Sequence, residues 1–248
     1  MPATPAWPPK SAPRLFVADA LAAGVQVALE GNQAHYLARV MRAGPGDAIV
    51  LCDDVTGEWA ARVVEAGKRA VMLEVVERLR PRETVPDFWL CPALLKKDRF
   101  DLVLEKATEL GVAAIRPVVT RRCVADKLNG DRARQIAVEA AEQCARTALP
   151  ELADPVKLEA LLHDWPADRT LFFADEAGGD PAAGAFAQTT RAALLTGPEG
   201  GFDDAERAMI RAHPQARAIS LGPRILRGET AAIAATAVWM ALAGDWRK

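Results

Sequence analysis

The sequence predicts an α/β protein in two parts, a small N-terminal β-barrel followed by a mostly parallel sheet that is covered by helices. Short β-branched and apolar runs, separated by turn clusters, fill the first eighty residues, which is typical of a small barrel. From residue 88 onward, strand-like runs alternate with helical patterns, which indicates a parallel sheet. We therefore predict a flexible tail over 1–13, a barrel over 14–80, a linker over 81–87 and an α/β domain over 88–248.

The barrel is predicted from short runs rich in β-branched and apolar residues, at 14–17, 25–29, 48–52, 58–64 and 70–79. Turn clusters at 43–47 and 53–57 punctuate them, and the segment 32–42 has the spacing of a helix. The tail carries prolines but no apolar stretch of the kind found in a secretory signal. The linker combines two prolines with charged residues, so we expect it to separate two domains.

The second part alternates strands and helices. Strands are predicted at 87–95, 114–120, 170–176, 192–197 and 216–222, and helices at 97–111, 130–147 and 229–244. Gly111 stands where the first of these helices needs a left-handed residue after its last turn. Asp203 and Glu206 have the spacing of a capping box that opens a further helix. These patterns together predict a sheet with helices on both faces.

Composition excludes several classes of protein. The apolar runs are too short for a membrane-spanning helix, which needs about 20 residues. The four cysteines form no C-x-x-C pair and only three histidines are present, so we expect no metal site. Single scattered cysteines fit a reducing cytosol. The net charge is −2, but the window 94–134 holds ten basic and six acidic residues, so it either meets a phosphate-rich partner or forms a solvated helix face.

The stretch "LLTGPEGGFDDAE" at 194–206 places three glycines and a proline around Glu199, directly after an apolar strand. Ligands of open α/β sheets bind beyond the carboxyl ends of strands, and glycine lets a ligand approach bare backbone. A carboxylate at the tip repels phosphate and suits a ligand that carries positive charge. The sequence has neither the P-loop pattern nor the dinucleotide fingerprint. The loop is therefore either a ligand loop of another kind or a tight strand-to-helix connection.

A second loop, "SLGPRILRGETAA" at 220–232, follows the next predicted strand and carries Arg224 and Arg227. Its apolar residues Leu221, Ile225 and Leu226 either line a slot for a flat aromatic ring or pack into the core. Two strand ends with glycine-rich loops favour a shared ligand pocket.

The two loops resemble the signature of the SPOUT methyltransferases, and more narrowly that of the ribosomal RNA small subunit methyltransferase E family, which makes 3-methyluridine in 16S rRNA. The resemblance rests on "TGPEGGF" at 196–202 and "LGPRILRGETA" at 221–231. It extends to 35–47, 96–122 and 139–152, so it covers residues 14 to 244. The usual family form of the last motif is closer to "LRTETA", and Gly228 stands here in place of that threonine.

The resemblance implies a PUA-like barrel joined to an α/β domain with a trefoil knot, S-adenosylmethionine as cofactor and a homodimer with the site at the subunit interface. The apolar last helix is then either a dimer face or packs within its own subunit. The cationic sulfonium and amino groups of this cofactor agree with the acidic loop tip. Carried onto this sequence, the cofactor-binding residues are Thr196, Gly197, Pro198, Glu199, Gly200, Gly201, Leu221, Gly222, Ile225, Leu226 and Thr230. The resemblance also points to the strand segment 171–176 as a further contributor.

Methylation of uracil N3 builds negative charge on the base, which a guanidinium stabilises. The resemblance points to Arg227 first and Arg146 second, with Glu199 as a further catalytic candidate. Arg227 alternatively caps a helix or pairs with Glu229, and Arg146 alternatively lies on a helix surface. The candidates for binding 16S rRNA, within the small ribosomal subunit, are Arg14, His35, Arg39, Arg42, Lys96, Lys97, Arg121 and Arg122. On a regular helix, Arg39 and Arg42 share one face with His35 at i+4 and i+7, which favours the binding role.

Three functions remain open from the sequence. The first is a cytoplasmic rRNA methyltransferase without a metal ion. The second is a non-catalytic RNA-binding factor of ribosome assembly, against which the intact glycine loops argue. The third is a related methyltransferase that acts on tRNA or on a different atom.

Overall fold

The computed structural model describes residues 7–67, 69–187 and 189–247. The first six residues of the predicted tail lie outside that range. The chain divides into two compact units, one formed by 1–84 with 141–148 and the other by 85–140 with 149–248. The sequence predicts a single domain boundary, at the linker 81–87. In the structure, the later segment 141–148 also belongs to the first unit. The exact domain limits stay a prediction. No helix in the described ranges is long and apolar enough to cross a membrane.

The first unit is built on a five-stranded sheet in the order β1-β3-β4-β5-β2. Its strands are β1 (Arg14–Phe16), β2 (Gln26–Glu30), β3 (Ala48–Cys52), β4 (Gly57–Ala66) and β5 (Ala70–Pro81). The pair β1–β3 is parallel and the other pairs are antiparallel. The pairing of β4 with β5 shifts register at three points, and such irregularities bend a sheet. All five predicted strands are present, within a few residues of the expected bounds.

One face of this curved sheet encloses an apolar core. Alternation along the strands places every second side chain there, as the burial pattern of β2 illustrates. The core is closed by the helical segment over 31–40, from which Leu37 is fully buried. Its best-buried members are Leu37, Ile49, Leu51, Ala61, Val63, Val71, Leu73 and Val75.

The helical segment corrects one step of the sequence analysis. The structure has a short helix α1 (Gly31–His35) followed by a π-helical turn over Tyr36–Val40. Arg42 then adopts a left-handed φ of 55°. The expectation that His35, Arg39 and Arg42 share one face rested on regular 3.6-residue spacing, and it is wrong at Arg42, because the π turn changes the period and the helix ends before that residue.

Hydrogen bonds explain why 141–148 belongs to the first unit. Glu58 is buried and pairs with Arg14 at 2.6 Å and with Arg80 at 2.6 Å, and Arg80 also donates to the carbonyl oxygen of Ala145. Glu83 Oε1 accepts from the amide of Thr147 at 2.6 Å, while the Thr147 hydroxyl accepts from the amide of Glu83 at 2.8 Å. These bonds attach a segment that is distant in sequence to strand β5 and its continuation.

The second unit carries the remaining elements. Its strands are β6 (Phe88–Pro92), β7 (Ala114–Ile115), β8 (Val118–Val119), β9 (Glu151–Leu152), β10 (Val156–Lys157), β11 (Thr170–Ala174), β12 (Asp180–Pro181), β13 (Ala192–Thr196) and β14 (Ala216–Ser220). The helices from here on are α2 (Lys97–Glu109), α3 (Gly130–Cys144), α4 (Leu158–His163), α5 (Ala182–Phe186), α6 (Asp204–Ala212) and α7 (Gly228–Leu242), with a final 3₁₀ turn over Asp245–Arg247. The last four residues of the α3 range, Ala141 to Cys144, belong to the first unit.

The main sheet of this unit has the order β12-β14-β11-β13-β6-β7-β9, and every neighbouring pair in it is parallel. The predicted parallel sheet is therefore confirmed. The predicted strand at 114–120 is interrupted around Pro117 and forms β7 and β8 in different sheets. Gly111 adopts a φ of 88° directly after α2, as its predicted capping role requires.

Alternate residues of the strands feed two cores on the two faces of the sheet. Leu194 and Phe172 face one core, which α2, α5 and α7 cover, and there the rings of Phe88 and Trp239 stack with centroids 4.3 Å apart. The neighbouring Leu195 belongs to the other core, which α4 and α6 cover. Burial of apolar area on both faces is what holds strands and helices together, because it outweighs the loss of chain entropy.

The amino ends of three neighbouring strands meet at a buried arginine. The Arg169 guanidinium donates to the backbone oxygens of Asp87 and Ala192, each at 3.1 Å, and to the Asp87 carboxylate at 2.6 Å. It also lies over the ring of Trp89, 3.7 Å from its centroid. A buried charge is tolerated only with such partners, so this cluster fixes the amino-terminal edge of β6, β11 and β13.

In the first unit, Asp53 ties together the turn between β3 and β4. Its carboxylate accepts from the amides of Leu21, Val55, Thr56 and Gly57 and from the Thr56 hydroxyl, at distances from 2.6 to 3.1 Å. Burial acts to raise the pKa of Asp53, but these hydrogen bonds outweigh it and bring the pKa to about 2.

We predict that Asp53→Ala lowers the free energy of unfolding by about 2–3 kcal/mol at pH 7, because buried amides lose their acceptor. Since the folded pKa lies below the unfolded one, the advantage of the wild type is present above about pH 4 and shrinks as the pH falls toward 2. Urea unfolding at pH 7 and pH 3 measures both effects. Asp19→Ala, an exposed aspartate of the same unit, serves as the control. A loss no larger than that control contradicts the role of Asp53.

Candidate active site

A cavity of about 460 Å³ opens at the carboxyl ends of β11, β13 and β14. These three strands are neighbours in the sheet, with β11 in the middle, so the loops that follow them converge. Ligand sites of small molecules have volumes of this order. The cavity is lined by Arg99, Ala174, Asp175, Glu176, Gly197, Pro198, Glu199, Gly201, Phe202, Arg207, Ile219, Ser220, Leu221, Gly222, Pro223, Arg224, Ile225, Leu226, Arg227, Gly228 and Ala231.

The glycine-rich loop after β13 forms one wall and depends on its glycines. Gly201 has a φ of 65°, and a Cβ there would lie 3.1 Å from Glu176 Oε1. The amide of Gly201 donates to the carbonyl oxygen of Pro198 at 2.9 Å, which closes the turn. The predicted capping box is present, with the Asp203 carboxylate accepting from the amide of Glu206 at 2.7 Å and Glu206 accepting from the amide of Asp203 at 3.1 Å.

Gly228 brings the two predicted loops together. A Cβ at this position would lie 2.9 Å from the carbonyl oxygen of Gly197 and 2.9 Å from Leu95 Cδ2. The backbone of the last helix therefore approaches the first loop as closely as a residue without a side chain allows. In the present chain, the glycine that departs from the usual family form permits this close approach.

Three carboxylates face the cavity, and they differ in how they are held. Asp175 is buried and pairs with Arg207 at 3.0 Å and with Arg211 at 2.7 Å. Burial raises its pKa, but the hydrogen bond from Arg211 and the nearby charges outweigh this and keep the pKa below its usual value. Glu176 is half-exposed and receives one longer contact from Arg207, at 3.3 Å. Glu199 is exposed and accepts from the amide of Lys96 at 3.2 Å.

The arginines of the cavity fall into two groups. Arg99 pairs with the buried Glu229 at 2.9 Å, and Arg207 is engaged by acidic side chains. Arg224 and Arg227, by contrast, have no side-chain hydrogen bond or ion pair with the residues that the structure describes. Arg227 occupies the position before the first turn of α7 without capping it. Both alternatives that the sequence left open for Arg227, a helix cap or a pair with Glu229, are therefore wrong.

The apolar side chains of the second loop behave differently from one another. Ile225 is 86% exposed although it lines the cavity, while Leu221 and Leu226 are half-buried. Core packing of Ile225 is thus excluded. An isoleucine held in solvent at the mouth of a cavity offers apolar surface to a ligand.

The structure gathers most of the predicted cofactor residues around one cavity. Those that line it are Gly197, Pro198, Glu199, Gly201, Leu221, Gly222, Ile225 and Leu226. Three others do not line it. Thr196 is buried at the end of β13, a Cβ at Gly200 would face Arg122, and Thr230 is exposed on α7. Of the predicted catalytic residues, Arg227 and Glu199 line the cavity.

Arg146 belongs to the first unit and does not line the cavity. It follows the end of α3 and is only 5% exposed, so the alternative of a helix-surface charge is wrong. Burial lowers the pKa of its guanidinium to about 10.

The predicted RNA-binding residues lie outside the cavity lining. In the first unit, His35, Arg39 and Arg42 are exposed, and Arg14 is half-buried in its pair with Glu58. In the second unit, Lys97 pairs with Asp101, whereas Arg121, Arg122 and the amide of Lys96 contact the glycine-rich loop or the helix after it. Their role in RNA binding stays a prediction.

Sequence reasoning did not single out several residues of the cavity. Arg99 entered the sequence analysis only as one of the ten basic residues in the window 94–134. In the structure it extends from α2 and lines the cavity. Asp175 and Glu176 follow β11. The resemblance pointed to the segment 171–176 as a whole, but it singled out neither carboxylate. Arg207 on α6 carried no signal, because its role depends on the carboxylates beside it. Within the described ranges, no group of histidine, cysteine or acidic residues is arranged to hold a metal ion.

Comparison with known proteins agrees with the fold and the cavity. A model of an RNA methyltransferase domain matches residues 82–240, and a model of an RNA methyltransferase PUA domain matches residues 29–76. The chain therefore belongs to the RNA methyltransferases that combine these two domains.

The relatives narrow this further. The chain is 33% identical to ribosomal RNA small subunit methyltransferase E of Synechocystis sp., over 90% of this chain and 76% of that one. It is 31% identical to the protein of the same description from Mycobacterium bovis, over 94% and 93% of the two chains. The chain is a member of the ribosomal RNA small subunit methyltransferase E family.

A solved relative supports the architecture. The crystal structure of a ribosomal RNA small subunit methyltransferase E from Neisseria gonorrhoeae bound to S-adenosyl methionine matches with a TM-score of 0.87 and 28% identity, over 95% of this chain and 99% of that one. The predicted fold class, a PUA-like barrel with a SPOUT-type α/β domain, is thereby confirmed, while threading of the chain into a knot stays a prediction.

We predict that Gly228→Ala lowers the free energy of unfolding by about 1–3 kcal/mol, because the new methyl group has to displace the backbone of Gly197. Gly184→Ala on α5 is the matched control. No atom lies within 4 Å of a Cβ at 184, so that change raises stability by up to about 1 kcal/mol through helix propensity. Chemical unfolding of both variants measures the difference. Equal behaviour of the two variants would mean that the close approach at 228 is unimportant.

Proposed function

We propose that this protein transfers a methyl group from S-adenosylmethionine to N3 of a uridine in 16S rRNA of the small ribosomal subunit. The observation that carries the proposal is the cavity at the ends of β11, β13 and β14, which unites the two loops of the family signature. A close relative in fold is bound to this cofactor. An enzyme with such a substrate works in the cytoplasm, where ribosomes are assembled.

The residues of the cavity fit the proposed cofactor. Glu199 and Glu176 carry carboxylates that are not consumed by short ion pairs, so they attract the cationic sulfonium and amino groups. Gly197 and Gly201 expose backbone, and Leu221 and Leu226 offer apolar surface for an aromatic ring. S-adenosylmethionine supplies the electrophilic methyl group when it is bound.

The chain's own contribution to the reaction is alignment and charge stabilisation. Methyl transfer requires the nucleophile in line with the methyl carbon and sulfur, and such alignment lowers a barrier by several kcal/mol. Uracil N3 becomes nucleophilic as its proton leaves, and Arg227, whose guanidinium has no partner among the described residues, stabilises the resulting negative charge. Arg146 remains the second candidate, and Glu199 a candidate to accept the proton.

The decisive experiment incubates the purified protein with labelled S-adenosylmethionine and small subunits from cells that lack the gene. We expect label on one uridine of 16S rRNA. Mass mapping should identify the labelled nucleoside as the N3-methyl form. Label on tRNA alone supports the alternative methyltransferase, and absence of label with retained RNA binding supports an assembly factor without catalysis.

In the same assay, Arg227→Ala is expected to reduce kcat by about 10²–10³, the effect of removing one stabilising donor, while cofactor affinity changes less than about twofold. Arg217→Ala, an exposed arginine on β14 that does not line the cavity, is the control for lost charge. Parallel losses of kcat and cofactor affinity in Arg227→Ala would assign that residue a structural role.

We further propose a homodimer through the outward face of α7. The only charged residue of this helix is Glu229, and it is buried. The inward face packs into the core of its own subunit through Trp239 and Met240. This packing explains why the inward face is apolar, but it does not explain the apolar outward face. The outward side is exposed or half-buried and carries only small or apolar groups and one hydroxyl, on Thr230, Ile233, Ala234, Ala237 and Ala241.

A charge in the middle of this face is expected to abolish dimerisation. We predict that Ala237→Arg is monomeric in sedimentation equilibrium at concentrations where the wild type is dimeric, because a desolvated unpaired charge is costly. Gln135→Arg on the exposed side of α3 introduces the same charge elsewhere and should leave the mass unchanged. A dimeric Ala237→Arg protein excludes this face as the interface.

A further inference from the structure

The segment that follows β8 lies against the glycine-rich loop. The Arg122 guanidinium donates through Nη1 to the carbonyl oxygen of Gly200 at 2.8 Å and to that of Phe202 at 3.4 Å. The stem of the same side chain packs on the loop, since a Cβ at Gly200 would lie 3.2 Å from Arg122 Cβ and 3.4 Å from its Cδ. Arg122 thus contacts the outer side of a loop whose inner side lines the cavity.

The preceding arginine binds the helix that the loop leads into. The backbone amide of Arg121 donates to Glu206 Oε1 at 2.7 Å, and its guanidinium donates to Asp203 Oδ2 at 3.1 Å. Asp203 and Glu206 are the two partners of the capping box of α6. Two consecutive arginines therefore hold both the loop and the start of the helix after it.

The short segment itself is closed into a turn. The amide of Thr120 donates to Cys123 Sγ at 3.3 Å, and the amide of Cys123 donates back to the carbonyl oxygen of Thr120 at 3.2 Å. These two bonds enclose Arg121 and Arg122 between them. The direction in which the two side chains leave the segment is thereby set by local structure.

A loop with three glycines in five residues needs such support. Glycine loses more conformational freedom on ordering than any other residue. If the loop is disordered before a ligand binds, this loss of entropy weakens binding. Within the loop, the bond from the amide of Gly201 to Pro198 fixes only one turn. Besides that bond, Glu199 accepts from the amide of Lys96 at 3.2 Å, and Arg122 adds charge-assisted bonds to the carbonyl oxygens of Gly200 and Phe202.

We propose that Arg122 is a positioning residue that keeps the glycine-rich loop in its cofactor-binding shape, rather than a ligand of RNA. The proposal rests on the proposed function, because it takes S-adenosylmethionine as the ligand of the loop. Arg122 acts through Gly200 and Phe202, so its loss raises the entropic cost of cofactor binding and leaves the chemical step intact. Both bonds leave from Nη1, so the guanidinium is turned toward the backbone of the loop.

The test compares Arg122→Ala and Arg122→Lys with Lys127→Ala, which removes a charge from an exposed side chain of the same segment. For Arg122→Ala we expect Kd and KM for S-adenosylmethionine to rise about tenfold, kcat at saturating cofactor to change less than twofold, and KM for the RNA to match that of Lys127→Ala. Arg122→Lys keeps one donor and should recover part of the affinity. Calorimetry, steady-state kinetics and a thermal midpoint for each variant supply the readouts.

Two results overturn the proposal. One is an unchanged cofactor affinity in a folded Arg122→Ala protein. The other is a rise in KM for the RNA beyond that of Lys127→Ala with cofactor affinity preserved, which would make Arg122 an RNA ligand. If Arg122→Ala does not fold, a cofactor affinity of Arg122→Lys equal to that of the wild type overturns the proposal, and a loss supports it. Failure of the wild type to bind S-adenosylmethionine refutes the proposed function instead, so the two failures are distinguishable.

Discussion

Parallel pairing of β11 with both β13 and β14 puts three strand ends side by side at one edge of the sheet. Because parallel strands run in one direction, the loops that follow these three strands all begin on the same side of the sheet, at the carboxyl ends. At the amino ends of the strands, the buried Arg169 binds the backbone at the start of β6 and β13. The cavity therefore follows from strand order and direction before any side chain in it is considered, and the loops only have to shape it.

The charges around the cavity separate into those that hold the structure and those that remain for a ligand. Asp175 and Arg207 are mutually neutralised, and Arg99 is held by Glu229. Arg227 and Glu199 stand on different loops, one cationic and one anionic, without an ion pair among the described residues. A site of this kind offers both signs of charge to one small molecule and to a base beside it, which suits a reaction in which a cationic donor meets a developing anion.

Much of the architecture was accessible from the sequence, because strand and helix periods are local properties. The capping box at Asp203 and the left-handed Gly111 were likewise predicted from spacing alone and are present. What could not be predicted depends on distant contacts. The position of β11 between β13 and β14 brought Asp175 into the site, and the π turn at Tyr36–Val40 broke an assumed helical face. The use of Arg122 on a loop 78 residues away has no local signal either.

The last helix has a consequence for how the chain acquires its structure during synthesis. Trp239 stacks on Phe88, which lies on β6, the first strand of the sheet, so one face of the sheet is closed by residues translated about 150 positions later. A nascent chain that has not yet released α7 from the ribosome leaves that face uncovered, however complete its strands are. The second unit is therefore expected to complete its core only after translation of this helix, whereas the strands of the first unit have all been translated by residue 81.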